Sequence, residues 1–161
     1  STQAKTLFPY TTLFRSRAAA IAHEIQLPLE QEGGSLLMTF SRRTPEPAQA
    51  LLTARLRHLP GAIWDGEGEN PYFAFLAAAD VILVTEDSIN MAAEAASTGK
   101  PLYILPMLGG SERIARFHTE LRARGASRPF EGKLERWTYE PLRETERAAA
   151  EVLRRMGRPS A

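Results

Sequence analysis

The chain contains no cysteine among its 161 residues. This excludes a disulfide framework, thiolate-ligated metal and thiol catalysis, and it suits a reducing compartment. Charge of one sign is also missing: 20 basic residues stand against 19 acidic ones, for a formal net charge of +1. Nucleic-acid-binding domains usually carry a basic excess, so no nucleic-acid partner is expected. No apolar run approaches the ~20 residues of a membrane span, so no integral membrane segment is expected. The three histidines, His23, His58 and His118, are too far apart for metal-ligand spacing. There is no Gly-x-Gly-x-x-Gly, no P-loop, no Ser-centred elbow and no His-Glu-x-x-His, so the usual signatures of dinucleotide, P-loop, α/β-hydrolase and zinc-protease chemistry are missing. No cofactor is implied.

What remains is an ordinary soluble composition, 43% hydrophobic and 24% charged, long enough for one domain with a core. Residues 1–17 do not match the rest. Thr6-Leu7-Phe8-Pro9-Tyr10-Thr11-Thr12-Leu13-Phe14-Arg15-Ser16-Arg17 reads as a translated sequencing adaptor: it is apolar, without clean periodicity and without a strong turn signal. On that reading the native protein is cut, and its upstream part is missing. Residues 18–34 read as a helix and linker remnant, Ala-rich up to Pro28 and broken by Gly33-Gly34. Residues 35–161 form the main domain.

In that domain short apolar runs alternate with helical stripes. Strands are expected over 36–40, 62–65, 81–84 and 102–105. A first helix is capped by Thr44 with Pro45 at its first position, and carries Leu51, Leu52, Leu56 and Leu59 inward. A short helix covers 72–79. The next opens at Asp87-Ser88 and ends at Gly99, with Pro101 just beyond. Ser111 caps a fourth helix with an inner stripe of Ile114, Phe117 and Leu121, closing at Gly125. Residues 130–139 read as irregular, and Pro141 opens a last helix through Met156. Strands alternating with helices predict a doubly wound, Rossmann-like parallel sheet with right-handed crossovers.

Ligands of such sheets bind at the carboxyl ends of the strands. Two ends offer chemistry. At Ser41-Arg42-Arg43-Thr44, two hydroxyls, two guanidiniums and the N–H groups of a helix start suit an anion such as phosphate; a solvated arginine pair beside an ordinary cap is the plainer alternative. At Asp87-Ser88 a helix starts after the third strand. Asn90, Met91 and Glu94 share its face with Asp87, polar groups where a phosphate and a sugar lie side by side. Taken singly, Asp87 or Ser88 is an N-cap and Glu94 a solvated residue. The loop from Trp64 to Tyr72 offers an aromatic face for a base, with Trp64 in the core as the equal alternative. His118 sits at the edge of its helix stripe and reads as a packing or surface histidine.

Ser-Arg-Arg-Thr-Pro (41–45), Asn-Pro-Tyr (70–72) and Ala-Asp-Val-Ile-Leu-Val-Thr-Glu-Asp-Ser-Ile-Asn-Met (79–91) closely resemble the mitochondrial fission (elongated-mitochondria) protein family, in its bacterial members. So do Glu-Ala-Ala-Ser-Thr-Gly-Lys-Pro (94–101), Phe-His (117–118) and Pro-Leu-Arg-Glu-Thr (141–145). The match runs in order from about Gly33 to Met156 and corresponds to the family's C-terminal half. That half also looks like the C-terminal, donor-binding half of a GT-B glycosyltransferase. The resemblance implies a nucleoside-diphosphate-sugar as substrate, and with the readings above the expected contacts are Ser41, Arg42, Arg43, Thr44, Trp64, Asp87, Ser88, Asn90, Met91 and Glu94, although Ser41-Arg42-Arg43-Thr44 stands where those enzymes have a glycine-rich loop. Backbone amides near Ser88 would meet the diphosphate, and Glu94 would accept the ribose hydroxyls. It implies an N-terminal acceptor domain as partner and a cytoplasmic protein, at most peripheral to a membrane. Asp87 departs from the pattern, because a carboxylate repels a diphosphate unless neutralised. Plant members are associated with recruiting fission machinery, so a non-catalytic scaffold on a degenerate transferase fold is the second expectation.

Overall fold

The computed structural model describes residues 10–143 and 154–155. Among the described residues helices and strands alternate up to Pro129: α1 (Tyr10–Glu32), β1 (Leu36–Met38), α2 (Glu46–Leu56), β2 (Gly61–Ile63), α3 (Tyr72–Ala78), β3 (Ile82–Thr85), α4 (Ile89–Ala96), β4 (Leu102–Leu105), α5 (Glu112–Ala123) and β5 (Ser127–Pro129). All strand pairing is parallel, as the alternating order requires. The fold is α/β and Rossmann-like.

The strands do not form one hydrogen-bonded sheet. β1 pairs with β2, and β3, β4 and β5 form a separate three-stranded sheet in that order. The inner edges of β1 and β3 instead face a shared cavity. The fifth strand is also new relative to the sequence reading. Ser127–Pro129 is three residues long, ends in proline and has one buried residue, so it carries no apolar run to announce it. The second strand lies at Gly61–Ile63 rather than 62–65. Gly61 has φ +124°, and a Cβ there would sit 1.9 Å from the Leu36 carbonyl oxygen. Only glycine permits β2 to approach β1 so closely.

Side-chain alternation divides the core into two layers. Tyr103 and Leu105 of β4 pack with Ala18, Ile21, Ala22 and Ile25 of α1 and Leu52 and Leu56 of α2. Leu102 and Ile104, pointing the other way, pack with Ile82 and Val84 of β3, Ala92, Ala95 and Ala96 of α4 and Leu121 of α5. The central sheet is thus covered on both faces, and β4 is buried along its whole length. The three alanines of α4 are 0% exposed, which brings that helix backbone close to the strands.

Three helix boundaries differ from expectation. α1 does not stop at Pro28 but continues to Glu32. The Pro28 ring is fully buried, and its packing offsets the hydrogen bond that proline cannot donate. α2 starts behind Pro45 with no side-chain cap, so Thr44 is not its N-cap. The Thr44 hydroxyl lies instead 3.3 Å from the Ser41 hydroxyl. Asp87 lies outside α4, whose cap is Ser88, accepting from the Met91 N–H at 3.4 Å. Ser111 caps α5 as expected, accepting from the Ile114 N–H. Most of the last expected helix, over 141–156, lies outside the described residues.

Candidate functional site at the strand ends

The turn after β3 is held from three sides by one residue. The Glu86 N–H donates to the Leu105 carbonyl at 2.9 Å. Its carboxylate oxygen Oε2 accepts from the Met107 N–H at 3.0 Å. Its carbonyl accepts from His118 Nε2 at 2.7 Å, which fixes the proton on that nitrogen because a carbonyl cannot donate. Glu86 therefore ties β3 to the loop after β4 and to α5. His118 is only 3% exposed, a packing histidine with a structural bond. Sequence reading passed over Glu86, and one signal was available: it is the charged residue where a buried strand stops.

Beyond this knot, Asp87 and Ser88 complete the turn. Ser88 is buried, and its N–H donates to the Thr85 carbonyl at 3.2 Å. The Asp87 oxygen Oδ1 is closed off from solvent and has no hydrogen-bond partner among the described residues. Along α4, Asn90 and Glu94 lie on the exposed side, one turn apart, while Met91 turns toward the cavity.

The turn after β1 is looser. The Thr44 N–H donates to the Ser41 carbonyl at 3.0 Å, and the Arg43 N–H donates to the Ser41 hydroxyl at 3.2 Å. Arg42 and Arg43 are exposed. Their guanidiniums are in solvent, free of burial cost.

Between the two sheets, and against α1, lies a cavity of about 600 Å³ that reaches the first turn at Ser41 and Thr44 and the end of β3 at Thr85. That volume is within the range of small-molecule sites. β1 and Ser41 wall one side and β3 the other, with Thr44, Tyr72, Phe75 and Met91 around them. Of the ten residues expected at a site, Ser41, Thr44 and Met91 line this cavity. Arg42, Arg43, Asp87, Ser88, Asn90 and Glu94 belong to the two turns and the helix beside it. Trp64 is not brought to the cavity wall. Its indole N–H donates to the Glu67 carbonyl at 2.9 Å and closes its own loop.

The Asn-Pro-Tyr segment has a definite job. The Thr39 hydroxyl and the Tyr72 N–H both donate to Asn70 Oδ1, at 2.8 and 3.1 Å. This joins the end of β1 to the start of α3. The Tyr72 hydroxyl then donates to Glu94 Oε2 at 2.7 Å. Burial, and then the bond to Glu94 and its charge, raise the Tyr72 phenol above its ordinary range, so it stays a donor. The sequence could not pair residues 72 and 94, which meet only through the crossover. At the other end of α3, the Lys100 ammonium donates to the Leu76 and Ala77 carbonyls at 2.7 and 2.6 Å. A cation on the last carbonyls of a helix satisfies them and complements the dipole.

Among the described residues no three His, Asp or Glu side chains cluster as a metal site, and no helix is long and apolar enough to cross a membrane.

Comparison with known proteins gives the geometry a lineage. The sequence model of the family described as Mitochondrial fission ELM1 matches residues 10–156. A protein of Arabidopsis thaliana named Mitochondrial fission protein ELM1 is 38% identical over 127 residues, covering 76% of this chain and 30% of that protein. A protein of Rickettsia prowazekii (strain Madrid E) named Uncharacterized protein RP120 is 37% identical over 120 residues, 70% of this chain and 34% of its own length. The chain thus spans about a third of the length of these curated relatives. No solved structure matches.

Proposed function

The chain belongs to the mitochondrial fission ELM1 family, and from that premise we propose that it forms a nucleoside-diphosphate-sugar-binding domain of a glycosyltransferase-like protein, the donor half of a GT-B-type fold. The observation that carries the reading is the β3–turn–α4 unit. It sets a capped helix N-terminus at the carboxyl end of a buried strand, beside a second turn bearing two arginines, across a cavity of about 600 Å³. Helix N–H groups and the positive end of the helix dipole favour phosphate oxygens. Arg42 and Arg43 would neutralise the diphosphate, and Glu94 would accept hydroxyls of the ribose. Ser41, Thr44, Asn90 and Met91 would complete the contacts.

Transfer in this reading takes place in a cleft against an acceptor domain. That domain supplies the base, while the donor half stabilises the departing diphosphate electrostatically. The protein would work in the cytoplasm, in contact with a membrane only at its surface. Titration calorimetry of the chain with UDP, GDP and their sugars tests the reading. Binding is expected, and it should weaken in Arg42→Ala and Arg43→Ala and with rising salt. A flat titration for all of them would refute it.

The second reading is a non-catalytic scaffold on a degenerate transferase fold, in keeping with the name of the Arabidopsis relative. Asp87 favours it, since a carboxylate at the diphosphate position opposes binding by charge. Ser88→Trp and Glu94→Ala separate the two. A ligand site loses binding in both variants with the fold intact, whereas a scaffold keeps its interactions.

A further inference from the structure

The bond between Tyr72 and Glu94 joins two elements that the sequence separates by 22 residues. Glu94 is exposed on α4, where an unrestrained carboxylate would sample many rotamers. Tyr72 has no such freedom. Its N–H is fixed on Asn70, Asn70 is fixed on Thr39, and Lys100 holds the far end of the same short helix. Its ring is half-buried and lines the cavity.

We infer that Tyr72 is a positioning residue for Glu94: it holds the carboxylate through Oε2 and thereby presents the remaining acceptor sites to a vicinal diol, so that the site takes a ribonucleotide in preference to its 2′-deoxy counterpart. The inference rests on the nucleotide-sugar reading and adds to it a residue and a selectivity. A carboxylate has about four lone-pair positions. One tyrosine hydroxyl leaves enough for two ligand hydroxyls. The hydroxyl that does the holding remains protonated, because burial and the neighbouring negative charge both oppose its ionisation. The same chain of bonds runs from Thr39 at the end of β1, across the slot between the two sheets, to α4 behind β3. A ligand gripping Glu94 therefore meets a carboxylate whose orientation is set by a chain of bonds anchored at the end of β1.

The test is a double-variant cycle in the 161-residue chain with Tyr72→Phe and Glu94→Gln. The probes are UDP or GDP, whichever binds the unaltered chain more tightly, and its 2′-deoxy form. Tyr72→Phe is expected to weaken the ribonucleotide about fivefold, the effect of one hydrogen bond, and to change the deoxy form less than about twofold. On the Glu94→Gln background it should have no further effect. Phenylalanine preserves the ring that lines the cavity, and a melting curve verifies the fold. Should that variant not fold, Glu94→Asp draws the carboxylate back from Tyr72 and should lose the same ribose preference. Equal losses for both nucleotides, losses that multiply in the double variant, or an unchanged ribose preference would overturn the role of Tyr72 while leaving the site. No binding by the unaltered chain would overturn both.

Discussion

The turns at the carboxyl ends of β1 and β3 are built to different standards. The turn after β3 is knotted by Glu86, capped by Ser88 and backed by three fully buried alanines. The turn after β1 follows a three-residue strand of half-buried residues, its helix has no side-chain cap, and its two arginines lie in solvent. One turn is tied on several sides and the other has few ties. Such a pairing suits a site in which one side fixes the position of a ligand and the other closes on its charge. The difference also predicts where substitutions will be felt.

The largest contrast lies in the cores behind the two turns. Leu102→Ala removes a side chain that is 0% exposed in the central strand and should cost about 3 kcal/mol. Leu36→Ala, in half-buried β1, should cost less than about half of that. Denaturant unfolding of both measures the ratio, and equal losses would erase the distinction between the halves. Gly61→Ala comes next, at about 2 kcal/mol, because the new Cβ meets backbone and not a pliable side chain. It should loosen β1 and β2 while leaving β3–β5 protected in hydrogen exchange.

The caps sharpen the comparison at a smaller scale. Ser88→Ala should cost about 1 kcal/mol, whereas Thr44→Ala, which removes no cap, should cost under about 0.5 kcal/mol. At the alkaline end the group that counts is Tyr139, whose hydroxyl donates to the Lys100 carbonyl at 2.7 Å. Burial pushes its phenol up to about 12, with a bond to Thr98 pulling the other way. The unfolded chain ionises first, near pH 10, so the native state holds the extra proton between those values. The stability from this group is complete below pH 10 and is lost as pH rises toward 12. Tyr139→Phe should flatten that part of the pH profile.

Much of the well-built half was legible in the chain. The strand at 102–105, the Ser111 cap and the turn at Ser88 follow from local rules: an apolar run, a hydroxyl before a helical stripe, a strand end. The looser half was read less well, because its features depend on distant partners. Thr44 looked like a cap by position, yet its hydroxyl faces Ser41. Pro28 looked like a helix end, yet burial carries the helix past it. The well-built half hid one element too: β5 pairs with the edge of β4, and its own three residues are nearly without pattern. The Tyr72–Glu94 bond is wholly tertiary, and no spacing within the sequence encodes it.

The central claim is that a nucleoside diphosphate binds across the two turns. Amide chemical-shift mapping of the labelled chain with UDP and GDP addresses it residue by residue. The account predicts shifts concentrated in residues 41–44 and 85–94, with Tyr72 among them and β5 unmoved. Saturating nucleotide that shifts none of these amides, or shifts only residues away from both turns, would contradict it.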